Sequence, residues 1–223
     1  CVGVYGAVRL QDIGDGTTVR IAGVVVDNTE VFRDTWGPLT YGRTLSAEQA
    51  EAVRPKALAL QDALLQRTEF EAQRGARIVV WSEGNALVLG DDEAGFLDRI
   101  RAISQRDNIY VFASLATMKP GDTLVANKVV LVEPSGKINA PYLKSHPTPG
   151  EASIPGDGQM RVVDTPYGRV AWAICYDFDY LELIRQAGQA GADILIDPAW
   201  EHAGMDPLHA RMATFRAIET GAS

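Results

Sequence analysis

Residues 169–199, "RVAWAICYDFDYLELIRQAGQAGADILIDPA", decide the fold. The apolar run over 169–175 has the length of a buried strand, 179–191 reads as a helix, and 192–199 is a second apolar run that closes a strand–helix–strand unit. The same alternation runs upstream, with strands over 76–83 and 108–116 about a helix over 93–107, and a last helix follows over 206–221. Strands that alternate with helices stack as α/β layers. Around this frame, "VRIAGVVVD" (19–27) reads as a strand buried on both faces and 28–46 as a long loop of Gly, Pro and aromatics without period. Residues 46–75 read as a helix capped by Ser46, stopped by Gly75 and broken or kinked at Pro55. Residues 127–144 read as two strands about a Pro-Ser-Gly turn, and 1–18 as a lead-in to a single domain over 19–223.

Composition narrows the function. The formal net charge is −8 and no run of Lys or Arg could track a phosphate backbone, so nucleic acid is not expected as a partner. No stretch approaches the roughly eighteen uninterrupted apolar residues of a membrane-spanning helix, and the N-terminus lacks a basic-then-apolar signal pattern. The two cysteines, Cys1 and Cys175, lie far apart and make neither a disulfide framework nor a zinc-like spacing. No metal or cofactor is expected.

Three polar residues fall at equivalent places: Glu83 ends "ARIVVWSE", Lys144 ends "KINAPYLK" and Cys175 ends "RVAWAIC". Sites in open α/β sheets gather beyond the carboxyl ends of strands. Taken singly, each has a bland reading, as a buried small hydrophobe, a solvated loop lysine or a solvated strand-end acid. Together they supply one reaction. Cys175 stands ahead of a helix starting near Asp179, whose positive end favours the thiolate. Glu83 follows "IVVW", where desolvation raises a carboxyl towards the range of a general base, and Lys144 offers a fixed charge for an oxyanion.

The segments "VVWSEGNAL", "YLKSHPTPGE" and "GRVAWAICYDFDYLELIR" resemble, in order, the glutamate, lysine and cysteine motifs of the nitrilase, or carbon-nitrogen hydrolase, superfamily. The resemblance implies a four-layer αββα sandwich with Cys175 as nucleophile, Glu83 as general base, Lys144 as oxyanion stabiliser and Glu151 as a second glutamate that orients Lys144. Within the superfamily, "DPAWEHAGMDPLHARMATFRAIETG" and the lead-in "YGAVRL" are most similar to the catalytic domain of the apolipoprotein N-acyltransferases. That likeness implies a phospholipid acyl donor, a lipoprotein N-terminal amine as acceptor, and a position on the extracytoplasmic face of a membrane with contact through flanking segments. The alternatives are a soluble cytoplasmic amidase that passes the acyl group of a small carboxamide to water, and an inactive sandwich used for binding.

Three departures bear on the choice: Ser82 stands where a proline is usual, the lysine motif is one residue short, and Asp177 replaces a glutamate as in soluble amidases. Family members continue past the last helix, so the sandwich is expected to be incomplete at its C-terminal end. Tyr176, Trp200, His209 and Trp36 are the candidate substrate contacts. Trp36, with Phe32 and Tyr41, is expected to form an apolar lip over the active-site mouth. Trp172 is assigned mainly to the core, Arg216 and Glu219 to a helix-surface pair, and Asn127 to a turn-like bond with loop backbone.

Overall fold

The computed structural model describes residues 18–200 and 207–222; all of the lead-in but Thr18 lies outside them. Two sheets form. In the first, β1 (Ile21–Val24), β2 (Ile78–Trp81), β4 (Tyr110–Met118), β5 (Ala126–Val132) and β6 (Tyr142–Leu143) lie side by side in that order, and β3 (Ala86–Leu89) also pairs with β4. The second contains β7 (Arg161–Thr165), β8 (Gly168–Trp172) and β9 (Ile194–Ile196), with β8 and β9 parallel as the strand–helix–strand reading requires.

Why the sheets stack follows from side-chain alternation. Along β2, Val79 and Trp81 face one core and Ile78 the other; along β5, Val130 and Val132 face the first core and Val129 and Leu131 the second. A strand apolar on both faces must be covered on both. The first core is closed by α3 (Ala47–Gln73) and α4 (Glu93–Asp107), through Leu60, Leu64, Phe96 and Ile100. The second lies between the sheets, where Phe112 meets Trp172 edge-on at 5.2 Å, and continues to Leu183, Ile184 and Ala187 of α5 (Leu181–Gln189), against which α6 (Leu208–Thr220) packs. The result is the αββα sandwich.

Several local expectations are corrected. The segment 28–46 carries two short helices, α1 (Thr29–Asp34) and α2 (Trp36–Leu39), because Val31, Trp36 and Leu39 find places in the first core. Strand β1 is an edge whose residues alternate between exposed and buried, so it is not covered on both faces. Helix α3 runs unbroken through Pro55. That proline sits on the solvent face, where water can reach the Glu51 carbonyl it leaves without an intrahelical donor. Ser46 caps the helix as read, its hydroxyl accepting from Gln49 N–H at 3.1 Å while the Gln49 side chain accepts from Ser46 N–H at 2.9 Å.

A polar tie joins α3 to β2 through the first core. Trp81 Nε1 donates to Thr68 Oγ1 at 2.9 Å, and that hydroxyl donates to Leu64 O at 2.8 Å. Thr68→Val keeps the volume but strands the buried indole N–H, so it should cost about 1–3 kcal/mol. Urea unfolding monitored by Trp fluorescence should show a lower midpoint with an unchanged slope.

Candidate active site

Glu83 owes its place to a broken strand. Strand β2 pairs with β4 through Val80↔Phe112, and pairing resumes with β3 at Ala86↔Leu115. The intervening "SEGN" (82–85) leaves the ladder. Gly84 takes φ 55° there, and its N–H donates to Ser114 Oγ at 2.9 Å. Asn85 pins the bend to the end of β1, accepting from Val26 N–H at 2.9 Å and donating to Val26 O at 2.7 Å. The carboxylate between these anchors is thrown towards the second sheet. Ser82, at the position of the absent proline, donates to Ala199 O at 2.6 Å and so ties the bend to the strand end beyond β9.

Lys144 arrives by the opposite route. Its N–H extends the β5–β6 ladder to Asn127 O at 2.9 Å, and its side chain is 1% exposed. The ammonium lies 2.7 Å from both Glu83 Oε1 and Glu151 Oε2. Burial works to lower its pKa, but the two carboxylates outweigh burial and hold it above the ordinary lysine value. Glu151 is likewise pressed upward by burial and pulled further down by Lys144, with help from Ser153 Oγ at 2.7 Å and Thr148 N–H at 2.9 Å. Lys144 and Glu151 are therefore both charged at neutral pH.

Cys175 opens a tight turn over Cys175–Asp179 with φ 48°, a left-handed value uncommon for a residue with a Cβ. Its N–H donates to Asp197 Oδ1 at 2.8 Å, and Asp177, fully buried, locks the turn. The Asp177 carboxylate accepts from Ile174 N–H at 3.1 Å, His146 N–H at 2.7 Å and Tyr142 O–H at 2.7 Å, which joins the cysteine turn to the loop that follows Lys144. The helix-end expectation is corrected here. Helix α5 begins only at Leu181, and burial followed by the Glu83 carboxylate pushes the thiol well above its ordinary value, with Lys144 offsetting part of that. At rest the sulfur carries its proton.

Glu83, Lys144, Glu151 and Cys175 open into one cavity of about 470 Å³, which Trp36, Tyr176, Trp200 and His209 also line. Phe32 stacks obliquely between Trp36 and Trp200, with ring centroids at 5.5 and 4.6 Å, to make an aromatic wall. His209 Nδ1 lies 3.8 Å from Cys175 Sγ. Tyr41 is not part of this lip: it is 84% exposed, past the end of α2. Trp172 lies in the core between the sheets, and Arg216 pairs with Glu219 at 2.6 Å while also donating to Phe178 O at 2.8 Å.

Asn127 is the residue most misread from sequence. It lies in β5, fully buried, and donates to Glu83 Oε1 at 2.8 Å and Glu151 Oε1 at 3.1 Å. A polar residue opening a run of buried β-branched positions was the available signal. The Asp177 lock was also missed, because its partners are distant in sequence.

This fold and this arrangement of groups define a class. The carbon-nitrogen hydrolase family model matches residues 44–222, and the chain belongs to that family. Among curated relatives, mouse deaminated glutathione amidase is 36% identical over 110 residues, covering 43% of this chain and 33% of the relative. A hydrolase of Schizosaccharomyces pombe is 31% identical over 133 residues, covering 54% of this chain and 40% of the relative. The matched segments thus span well under half of those proteins. A solved amidase of the nitrilase superfamily from Nesterenkonia superposes with a TM-score of 0.70 at 18% identity, over 94% of this chain and 75% of that one, which establishes the shared fold.

These relatives overturn the acyltransferase reading. The matched proteins include deaminated glutathione amidases and a formamidase, and the phospholipid donor and membrane-face position that accompanied that reading find no support among them. Of the motifs that prompted it, the Arg-Ala-Ile-Glu run has a structural part here, Arg216 bracing the cysteine turn, while the Trp after the strand, Trp200, lines the cavity. No helix among the described residues is long and apolar enough to cross a membrane.

Gly84 offers a test of the geometry. A Cβ there would come within 2.7 Å of the Trp36 ring, on a backbone with positive φ. Gly84→Ala should lower stability by about 1–3 kcal/mol and displace Trp36 from the cavity wall. Both effects can be read by thermal unfolding and by a change in Trp fluorescence in the folded state.

Proposed function

We propose that this protein is an amidase that hydrolyses primary amides of small, uncharged acyl groups through a thioester on Cys175. The observation that carries this reading is the buried Glu83–Lys144–Glu151 cluster sharing one cavity with the cysteine. Taking three charges out of water is a poor route to stability, which argues against an inert binding sandwich.

Among the described residues Glu83 Oε1 accepts from Lys144 and Asn127, whereas Oε2 accepts from Trp200 N–H at a longer 3.2 Å, so Oε2 is the oxygen better placed to take a proton. In the first half-reaction the Cys175 thiol proton passes to Glu83 as sulfur bonds the amide carbon. Two of the three Lys144 N–H groups are engaged by carboxylates, and the third stabilises the oxyanion. Glu83 returns its proton to the nitrogen, the C–N bond breaks and ammonia leaves. In the second, Glu83 takes a proton from water, the hydroxide attacks the thioester carbon, and sulfur departs with the acid as product and recovers its proton from Glu83. Glu151 keeps Lys144 cationic throughout.

The lining supports the acyl specificity. Phe32, Trp36 and Trp200 form its apolar wall, Lys144 is the single Lys or Arg among the described lining residues and is engaged by carboxylates, and Asp179 stands exposed at the rim. Among the described lining residues an anionic acyl group meets Glu83, Glu151 and Asp179, and the one lysine is already engaged by carboxylates. The amidase relatives support the leaving group.

Ammonia release from butyramide should exceed that from succinamate by about 10- to 200-fold in kcat/KM. Equal rates on the two would overturn the specificity, and no release from any primary amide would overturn the reaction. Cys175→Ser should reduce turnover to background with the fold intact by circular dichroism. Lys144→Ala should lower kcat by about 100- to 1000-fold. Mass spectrometry of the wild-type protein quenched in acid during turnover should show a butyryl adduct on the peptide containing Cys175.

A further inference from the structure

We infer that Asn127 is a positioning residue that holds the Glu83 and Glu151 carboxylates in register around Lys144 and thereby sets how readily Glu83 takes up a proton. The inference rests on the amidase reading for its consequence in turnover, but its central claim concerns groups that touch whether or not substrate is bound.

Geometry fixes the amide. Carboxylates only accept, so the nitrogen end of Asn127 faces them, and its two N–H groups are spent on Glu83 Oε1 at 2.8 Å and Glu151 Oε1 at 3.1 Å. Its neighbour Lys128 lies close to Glu93, at 2.6 Å, on α4 across the first core face, so strand alternation sends Asn127 alone to the cluster. The Asn127 carbonyl oxygen is buried without a hydrogen-bond partner. An unpaired buried acceptor is unfavourable, and a valine or leucine at this place would avoid it. The side chain is therefore poorly explained by packing and well explained by what its nitrogen does.

Charge gives the reason. Two carboxylates face one ammonium, which leaves the cluster with excess negative charge and a tendency to bind a proton. A neutral group that donates to both carboxylates relieves that tendency without adding a cation that would compete for Glu83. It also fills Glu83 Oε1, confining proton traffic to Oε2. Among the described residues, the other ionisable groups facing this corner are the Cys175 thiol, Asp197 beneath the cysteine turn, and Tyr176, His209 and Asp179 at the cavity. None of them replaces the double donor.

The test compares wild type, Asn127→Ala and Asn127→Ser. The pH dependence of Cys175 alkylation by iodoacetamide is measured alongside kcat and KM on butyramide and the thermal midpoint. Loss of the double donor should move the acid limb of alkylation upward by about one pH unit and lower kcat by about tenfold, while KM stays within about threefold. An unmoved limb with only a lower thermal midpoint would make Asn127 a packing residue and overturn the inference. Serine keeps a small polar group that cannot span both carboxylates, so it carries the same readout if the alanine variant does not fold. If neither folds, the residue is structural and the inference fails. A wild-type protein that alkylates normally but releases no ammonia would sink the amidase reading and leave the pH-limb comparison to decide Asn127. Normal hydrolysis with an unmoved limb would sink Asn127 alone.

Discussion

Lys144 keeps 1% of its surface in water, with its ammonium at 2.7 Å from each of two carboxylates. A cation removed from solvent to this degree persists only where its partners are fixed, because leaving either charge uncompensated in a dry setting is strongly unfavourable. Each partner is fixed by a different part of the chain. Glu83 hangs from the break between β2 and β3, Glu151 is wrapped by Thr148 and Ser153 from its own loop, and Asn127 reaches both from β5. The two-sheet architecture is the frame that lets these segments meet.

The cysteine side obeys the same logic with a neutral group. Its backbone is held in a left-handed conformation by Asp197 and by the Asp177 lock, which places the thiol in the cavity at the end of β8. There burial and the nearby Glu83 keep the proton on sulfur. In the proposed route the reactive form is made on demand, by proton transfer to Glu83, which Lys144 and Asn127 hold in place. That arrangement suits a thioester route in which one group must act first as base and then as acid.

The aromatic wall shows how recognition is grafted onto this machinery. Helices α1 and α2 exist because Val31, Trp36 and Leu39 are buried, and their packing carries Phe32 and Trp36 to the cavity rather than leaving them on a free loop. Gly84 lets Trp36 approach the Glu83 bend closely, so the carboxylate corner and the aromatic wall are in direct contact.

Sequence by itself determined the layered α/β class, the order of the main strands and helices, and the strand-end positions of Glu83, Lys144 and Cys175. These depend on local period, turn residues and motif spacing, all written in neighbouring residues. It also carried the family, while the choice between acyltransferase and amidase turned on short features such as the Arg-Ala-Ile-Glu run that different members share. Tertiary structure alone decided what depends on contacts between distant segments. Asn127 read as a turn residue because its partners lie 44 and 24 positions away. Asp177 read as a family departure because the donors it gathers from the lysine loop are 31 to 35 positions distant. The thiol read as activated because a helix followed it, whereas its protonation is set by burial between two sheets, and no local stretch of sequence encodes that burial.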